Sequence, residues 1–199
     1  TKAPEEVILC DDGSTDNTVS IIERFIRKNG LDGKWKLYRN KINKGYPSNF
    51  YYACSLCNEE IVFLADQDDI WKNDKIEKMC RVMEKNPGAK SVCCKFNLMD
   101  EKEQEIHSIM APTHAHETGE VRNVPVEEIF YKCQWPGMVM AYRRDWYESW
   151  TKGNYQIPHD FLIAARAAEE DSFSWMRHWH ITDDTTTIPE EKNIIFANY

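Results

Sequence analysis

Apolar and polar residues fall along this chain in blocks whose lengths and spacings predict its elements. Residues 7–10 (VILC) form a short continuous apolar run that stops at the polar segment Asp11-Asp12-Gly13-Ser14-Thr15-Asp16. An apolar run without alternation predicts a strand covered on both faces, and the polar residues after it supply helix N-cap candidates. Over Thr18–Lys28, Val19, Ile22 and Ile26 recur at helical spacing with Ile21 and Phe25 beside them, and Asn29-Gly30 is a stop signal. Residues 35–38 predict a second strand, and Pro47 opens a helix running to about Cys57, because proline is tolerated in a first turn. Residues 61–65 predict a third strand, again continuous, followed by a helix marked by Ile76, Met79, Cys80 and Met83 that ends by Pro87-Gly88. Further on the pattern predicts a strand over 91–98, a short helix over Val126–Lys132, a strand over 138–142, and helices over Arg144–Trp150 and 160–168. The polar stretch 100–124, with His114 and His116, has no periodicity and is expected to be a long, mobile loop.

Strand and helix alternate through the first half, so the expected fold is an α/β sandwich with a largely parallel central sheet, in one domain spanning residues 1–199. Ligands of such sheets bind beyond the carboxyl ends of the strands. Both acidic clusters, Asp11-Asp12 and Asp66 to Asp69, follow consecutive strands and fall at that edge.

Charge and cysteine content narrow the setting. The formal net charge of -8 argues against a nucleic-acid partner held by a broad basic surface. No apolar run approaches the roughly 20 residues that span a bilayer. Seven cysteines, an odd number, favour reduced thiols and a cytoplasmic location. Cys54 and Cys57 have the spacing of half a zinc site, but Cys93 and Cys94 are adjacent rather than similarly spaced, and packing is the simpler role for all four.

The stretch FLADQDDIW, residues 63–71, places Asp66, Asp68 and Asp69 at the end of a buried strand, where their repulsion is costly unless a cation or a set of donors is present. Carboxylates at strand ends suit Mg2+ or Mn2+, which take oxygen ligands and commonly share them with substrate phosphates. Neither GxxxxGK[ST] nor GxGxxG occurs, so a metal bridge to a diphosphate is the more economical reading. The plainer alternative is an acidic turn capping the helix that starts near Asp74.

CDDGSTDNT and FLADQDDIW, about 50 residues apart, together closely resemble the family 2 glycosyltransferases, and Asp-Gln-Asp-Asp-Ile-Trp resembles the bacterial rhamnosyltransferase-type branch. NKGYPSNFYYA, WKNDKIEK, PGMVMAYRRD and IPHDFLIAARAA occur in the family's order, extending the resemblance to about Asp184. The resemblance implies a GT-A-like fold and inverting transfer of a sugar from a nucleotide-diphosphate sugar, dTDP- or UDP-linked, to a glycan or lipid-linked acceptor hydroxyl. Cell-envelope polysaccharide synthesis at the inner face of the membrane, with peripheral membrane association, is the implied setting. Matched residue by residue, Asp12 is expected to meet the nucleoside with Asp11 in support, and Asp66 and Asp68 to serve ribose and metal-diphosphate. Asp68 is then the metal ligand, with Asp69 secondary, and Asp160 the general base. Gly137 and Trp135 fall on the acceptor side, where Trp135 either stacks on a sugar or packs in the core; Asp160, for its part, is also a good N-cap. Arg143 and Arg144 either neutralise phosphate or belong to a solvated face.

Two features depart from the family. Its usual first strand–helix unit is not seen, so the chain is expected to be N-terminally incomplete, with an unpaired sheet edge that invites homo-oligomer pairing. The family's Arg-x-His-x-x-Asn element finds only His178-Trp179-His180-Ile181-Thr182-Asp183, leaving His180 as a phosphate or metal contact or a structural residue. A non-catalytic nucleotide- or glycan-binding remnant is the alternative to an enzyme.

Overall fold

The computed structural model describes residues 2–100, 102, 104–106, 121–132, 135–152 and 155–176. The elements are, in chain order, β1 (Val7–Asp11), α1 (Thr18–Lys28), β2 (Trp35–Arg39), α2 (Ser48–Ser55), β3 (Ile61–Phe63), α3 (Lys75–Lys85), β4 (Ser91–Cys93), β5 (Leu98–Met99), β6 (Glu105–Ile106), β7 (Val121–Asn123), α4 (Val126–Lys132), β8 (Met140–Arg143), α5 (Arg144–Trp150), α6 (His159–Glu169) and β9 (Phe173–Met176). A 3-10 turn over Gly137–Val139 leads into β8.

The expected α/β fold is present, but its sheet is mixed rather than largely parallel. The strand order is β3-β8-β4-β9-β7, with β1-β2 and β5-β6 as separate pairs. β1 runs parallel to β2, and β4 parallel to β9, whereas β8 is antiparallel to both β3 and β4. Alternation of strand and helix correctly makes β3 and β4 run the same way. It does not reveal that β8, from much later in the chain, is inserted between them. Apolar periodicity reports which faces are covered, not which strand lies alongside.

Two other expectations are corrected, and one strand had not been foreseen. Residues 91–98 are not one strand: β4 ends at Cys93, and β5, over Leu98–Met99, pairs with β6, which lies inside the stretch expected to be a loop. β7 lies at the other end of that stretch, bonded to β9, so the expected loop is interrupted twice. β9 carried no sequence signal of its own, because four residues of mixed type, Phe-Ser-Trp-Met, form a fully buried strand whose Ser174 hydroxyl donates to Asn123 at 3.2 Å.

The main core joins α2, α5 and α6 to one face of the five-stranded sheet through Phe50, Tyr142, Trp146, Ile163, Ala167 and Phe173. α3 covers the other face with Met79 and Met83 against Val92 and Ala141. β1 and β2 have a smaller core of their own, Val7, Leu9 and Ile26. A cleft of about 840 Å³ is lined by Val7 and Cys10 of β1, by Ile61, Val62 and Leu64 from β3 and just past it, and by Phe50. α2 and the bonds from Asn58 to Glu6 (2.8 Å) hold the smaller sheet to the rest.

Cys10, Cys54, Cys57, Cys80, Cys93 and Cys94 are free thiols. α2 ends before Cys57, and no group of three or more His, Cys, Asp or Glu among the described residues is placed to hold a metal by itself. No described helix is long and apolar enough to cross a membrane.

Candidate active site

The site is organised by the loop over residues 40–46. Asp11, buried at the end of β1, turns the chain by accepting from the N–H groups of Gly13 at 3.4 Å and Ser14 at 3.2 Å. Gly13 has φ +102°, a conformation suited to glycine, so the acidic motif bends sharply here. Asp12 is buried too, and both its oxygens are committed. Oδ1 accepts from Asn40 Nδ2 at 2.7 Å and from Lys44 N–H at 2.8 Å, and Oδ2 from Gly45 N–H at 2.7 Å. Asn49, at the start of α2, completes the lattice by accepting from Asn40 at 2.8 Å and donating to Cys10 O at 3.1 Å. The first acidic motif therefore fixes the loop that presents Tyr46.

Tyr46, mostly exposed, packs at the N-terminal end of α6. Its ring stands edge-on to Phe50 (5.8 Å) and His159 (5.7 Å). Partial desolvation, with the negative charges of Asp160 and Asp66, pushes its hydroxyl up to about 12. Asp66 and Asp160, far apart in sequence, thus act on the same group, and each other. Desolvation first, then Asp69, Asp68 and Asp160, pushes the Asp66 carboxyl up to about 6 against the opposing Lys75. Asp69 is also raised, by burial and by Asp68, and its Oδ2 is buried without a hydrogen-bond partner. Asp68 is exposed.

Asp160 is the second residue of α6, not its N-cap, which is Pro158. Its Oδ1 accepts from Phe161 N–H at 2.8 Å, and its Oδ2 from Gly137 N–H at 3.1 Å. Burial raises its pKa while those two amides restrain the rise. An anion in the first turn of a helix is further favoured by the macrodipole. His159, beside it, stacks on Phe50 with ring centroids 3.8 Å apart, and neither imidazole nitrogen has a partner. Burial holds its pKa down at about 3, so the ring is neutral.

The structure brings Asp66, Asp68, Asp69, Asp160 and Gly137 into one neighbourhood. Gly137 touches Asp160 by its amide and is packed against His159. Trp135 is 7% exposed and packed edge-on against Phe173 (5.8 Å) and Trp175 (6.4 Å), in the main core. Arg143 is a structural clamp, donating to Ala89 O, Met83 O and Glu60, and Arg144 bonds Glu148 and Glu59 O. His180, His114 and His116 lie outside the described residues.

The donor set fits a hard divalent cation. An unpartnered carboxylate oxygen on Asp69 and the mutual repulsion that raises Asp66 are both relieved by positive charge, and oxygen is the ligand type Mg2+ and Mn2+ select. The protein side chains do not close a coordination sphere alone, which leaves room for phosphate oxygens.

Sequence reasoning overlooked Tyr46, His159 and Lys75. Each sat inside a quoted motif, and Lys75 had a visible signal, a cation at the start of a helix where the macrodipole opposes it.

The fold is that of GT-A glycosyltransferases. TarS 1–349 of S. aureus superposes with TM-score 0.60 at 17% identity, over 87% of this chain and 49% of that one. The mannosyltransferase PcManGT of Pyrobaculum calidifontis, solved with GDP-Man and Mn2+, gives TM-score 0.57 at 18% identity, over 85% of this chain and 47% of that one. Residues 1–150 match the sequence profile of glycosyl transferase family 2, and the chain belongs to that family. Among curated relatives, an uncharacterized glycosyltransferase of Haemophilus influenzae is 35% identical over 81 residues, 41% of this chain and 31% of the relative. The Escherichia coli UDP-Glc:alpha-D-GlcNAc-diphosphoundecaprenol beta-1,3-glucosyltransferase WfgD is 34% identical over 86 residues, 43% of this chain and 32% of WfgD. The matched segments thus span about a third of these relatives.

Proposed function

We infer that this chain catalyses inverting transfer of a sugar from a nucleotide-diphosphate sugar to an acceptor hydroxyl, with Asp160 as general base. The observation that carries the reading is the Gly137 N–H that donates to Asp160 at 3.1 Å from the turn where Met138 O accepts from Lys75, whose ammonium lies over Trp71 beside the donor-side carboxylates. Asp160, anchored by two amides, stays oriented while it takes the acceptor's proton. Asp68, with Asp66 and Asp69 beside it, would hold Mg2+ or Mn2+, which when bound supplies positive charge to the departing diphosphate. Asp11 and Asp12 serve the nucleoside side by fixing the 40–46 loop, and Tyr46 borders the sugar between Asp66 and Asp160.

UDP-linked and dTDP-linked sugars are the donors in view, and the UDP-Glc named for WfgD adds weight to the first. That relative's diphosphoundecaprenol-linked acceptor likewise favours a lipid-linked glycan as acceptor, with the protein peripheral at the membrane's cytoplasmic face.

Calorimetric titration with UDP and dTDP, with and without Mn2+, beside an Asp68→Ala variant, tests the reading. Metal-dependent binding that is lost in Asp68→Ala is the expected result. A folded chain that binds neither nucleotide would instead be the non-catalytic remnant.

A further inference from the structure

Lys75 is an expensive residue where it stands. It opens α3, where the macrodipole disfavours a cation, and it is half-buried, with desolvation pulling its pKa down. A methionine would span the same space and cover the same neighbours, so the charge calls for an explanation. The ammonium lies 3.7 Å from the ring centre of Trp71 and donates a short hydrogen bond to Met138 O. The charged or titratable groups that act on it are Asp69 and Asp66, from the carboxylate loop, and Cys94, beyond β4. Met138 is the middle residue of the 3-10 turn, and the residue before it, Gly137, gives its N–H to Asp160.

We propose that Lys75 is a positioning residue that ties Trp71, just past the Asp66–Asp69 loop, to the Gly137–Val139 turn and so holds the Gly137 N–H on Asp160. One side chain then reaches both halves of the site: it lies over the ring of Trp71 beside the donor-side carboxylates, and the Met138 carbonyl, in the turn that orients the candidate base, accepts its hydrogen bond. Loss of the ammonium frees Met138 O, loosens the turn, and leaves Asp160 with only the amide of its own neighbour Phe161. The consequence for catalysis rests on the reading of Asp160 as the base; the link itself does not.

Amide hydrogen exchange resolved by NMR tests the link without any transfer reaction. In Lys75→Met the Gly137 N–H is expected to exchange roughly tenfold faster, while Ala141 in β8 and Ala164 in α6 keep their wild-type rates, the mark of a local opening. Unchanged exchange at Gly137, or a uniform acceleration of all three amides, overturns the proposal. Should Lys75→Met not fold, the wild-type chain carries the test. A scalar coupling across the hydrogen bond from Lys75 Nζ to the Met138 carbonyl carbon is expected, and a freely exchanging ammonium with no such coupling overturns the link. Failure of nucleotide binding in the titration above would sink the transferase reading and leave these outcomes standing.

Discussion

A methyl group added to Gly137 would stand 2.9 Å from Nε2 of His159. The ring cannot yield easily, because it is stacked on Phe50 and buried. Gly137→Ala is therefore expected to cost about 1–3 kcal/mol by overpacking and to disturb the amide that Asp160 accepts. Urea unfolding measures the cost. The double variant Gly137→Ala/His159→Ala should lose markedly less than the sum of its parts, because the clash is removed with the ring.

Asp160→Asn keeps the shape of the carboxylate and removes its basicity. Transfer is expected to fall about 10²–10⁴-fold, with nucleotide affinity within about twofold of wild type. Single-turnover transfer of a radiolabelled donor sugar, set beside calorimetry, separates these effects. Equal loss of binding and turnover would show that Asp160 holds the fold rather than the proton.

His159 and Asp66 give the chain opposing pH dependences. The folded pKa of His159 is depressed to about 3, so its contribution to stability is complete above about 6.5 and lost as pH falls toward 3. Each unit of that window carries roughly 1.4 kcal/mol for a group so thoroughly buried. His159→Leu should flatten the loss in denaturant titrations between pH 6.5 and 4.

For Asp66 the sign is reversed. Its folded pKa is raised to about 6, so the protonated form is favoured in the native state; its contribution is complete below about 4 and lost as pH rises through 6. Asp66→Asn is expected to gain on the order of 1 kcal/mol relative to wild type at pH 7.5 compared with pH 4, after allowance for solvent screening. Mn2+ affinity in the presence of nucleotide should rise between pH 5 and 7 in wild type and lose that rise in the variant.

Asp12→Ala removes the acceptor of two backbone amides and one side-chain amide. A cost of about 2–4 kcal/mol is expected, with faster tryptic cleavage at Lys41 and Lys44 as the loop over residues 40–46 loosens.

Much of this was legible in the residues. α1, α4 and α5 have the expected bounds, α1 because its apolar spacing records a single buried face and Asn29-Gly30 stops it. The acidic clusters were legible as strand-end residues for the same local reason. What escaped was non-local. The insertion of β8 between β3 and β4 depends on partners far apart in the chain, and so do the partners of Trp135, Phe173 and Trp175, which belong to a strand with no pattern of its own. Tyr46, His159 and Lys75 were overlooked because nothing local to each reveals the carboxylate or carbonyl that folding sets beside it.

The cleft between the two sheets gives the molecule an uneven mechanical character. β1, α1 and β2 carry a core of their own and meet the rest through α2 and a few side-chain bonds, so they form a lever hinged on one helix. Asp12 sits on the lever and Asp66 on the anvil. A pull between residues 2 and 176 in an optical trap should therefore release the lever first, at low force, and the five-stranded body only afterwards.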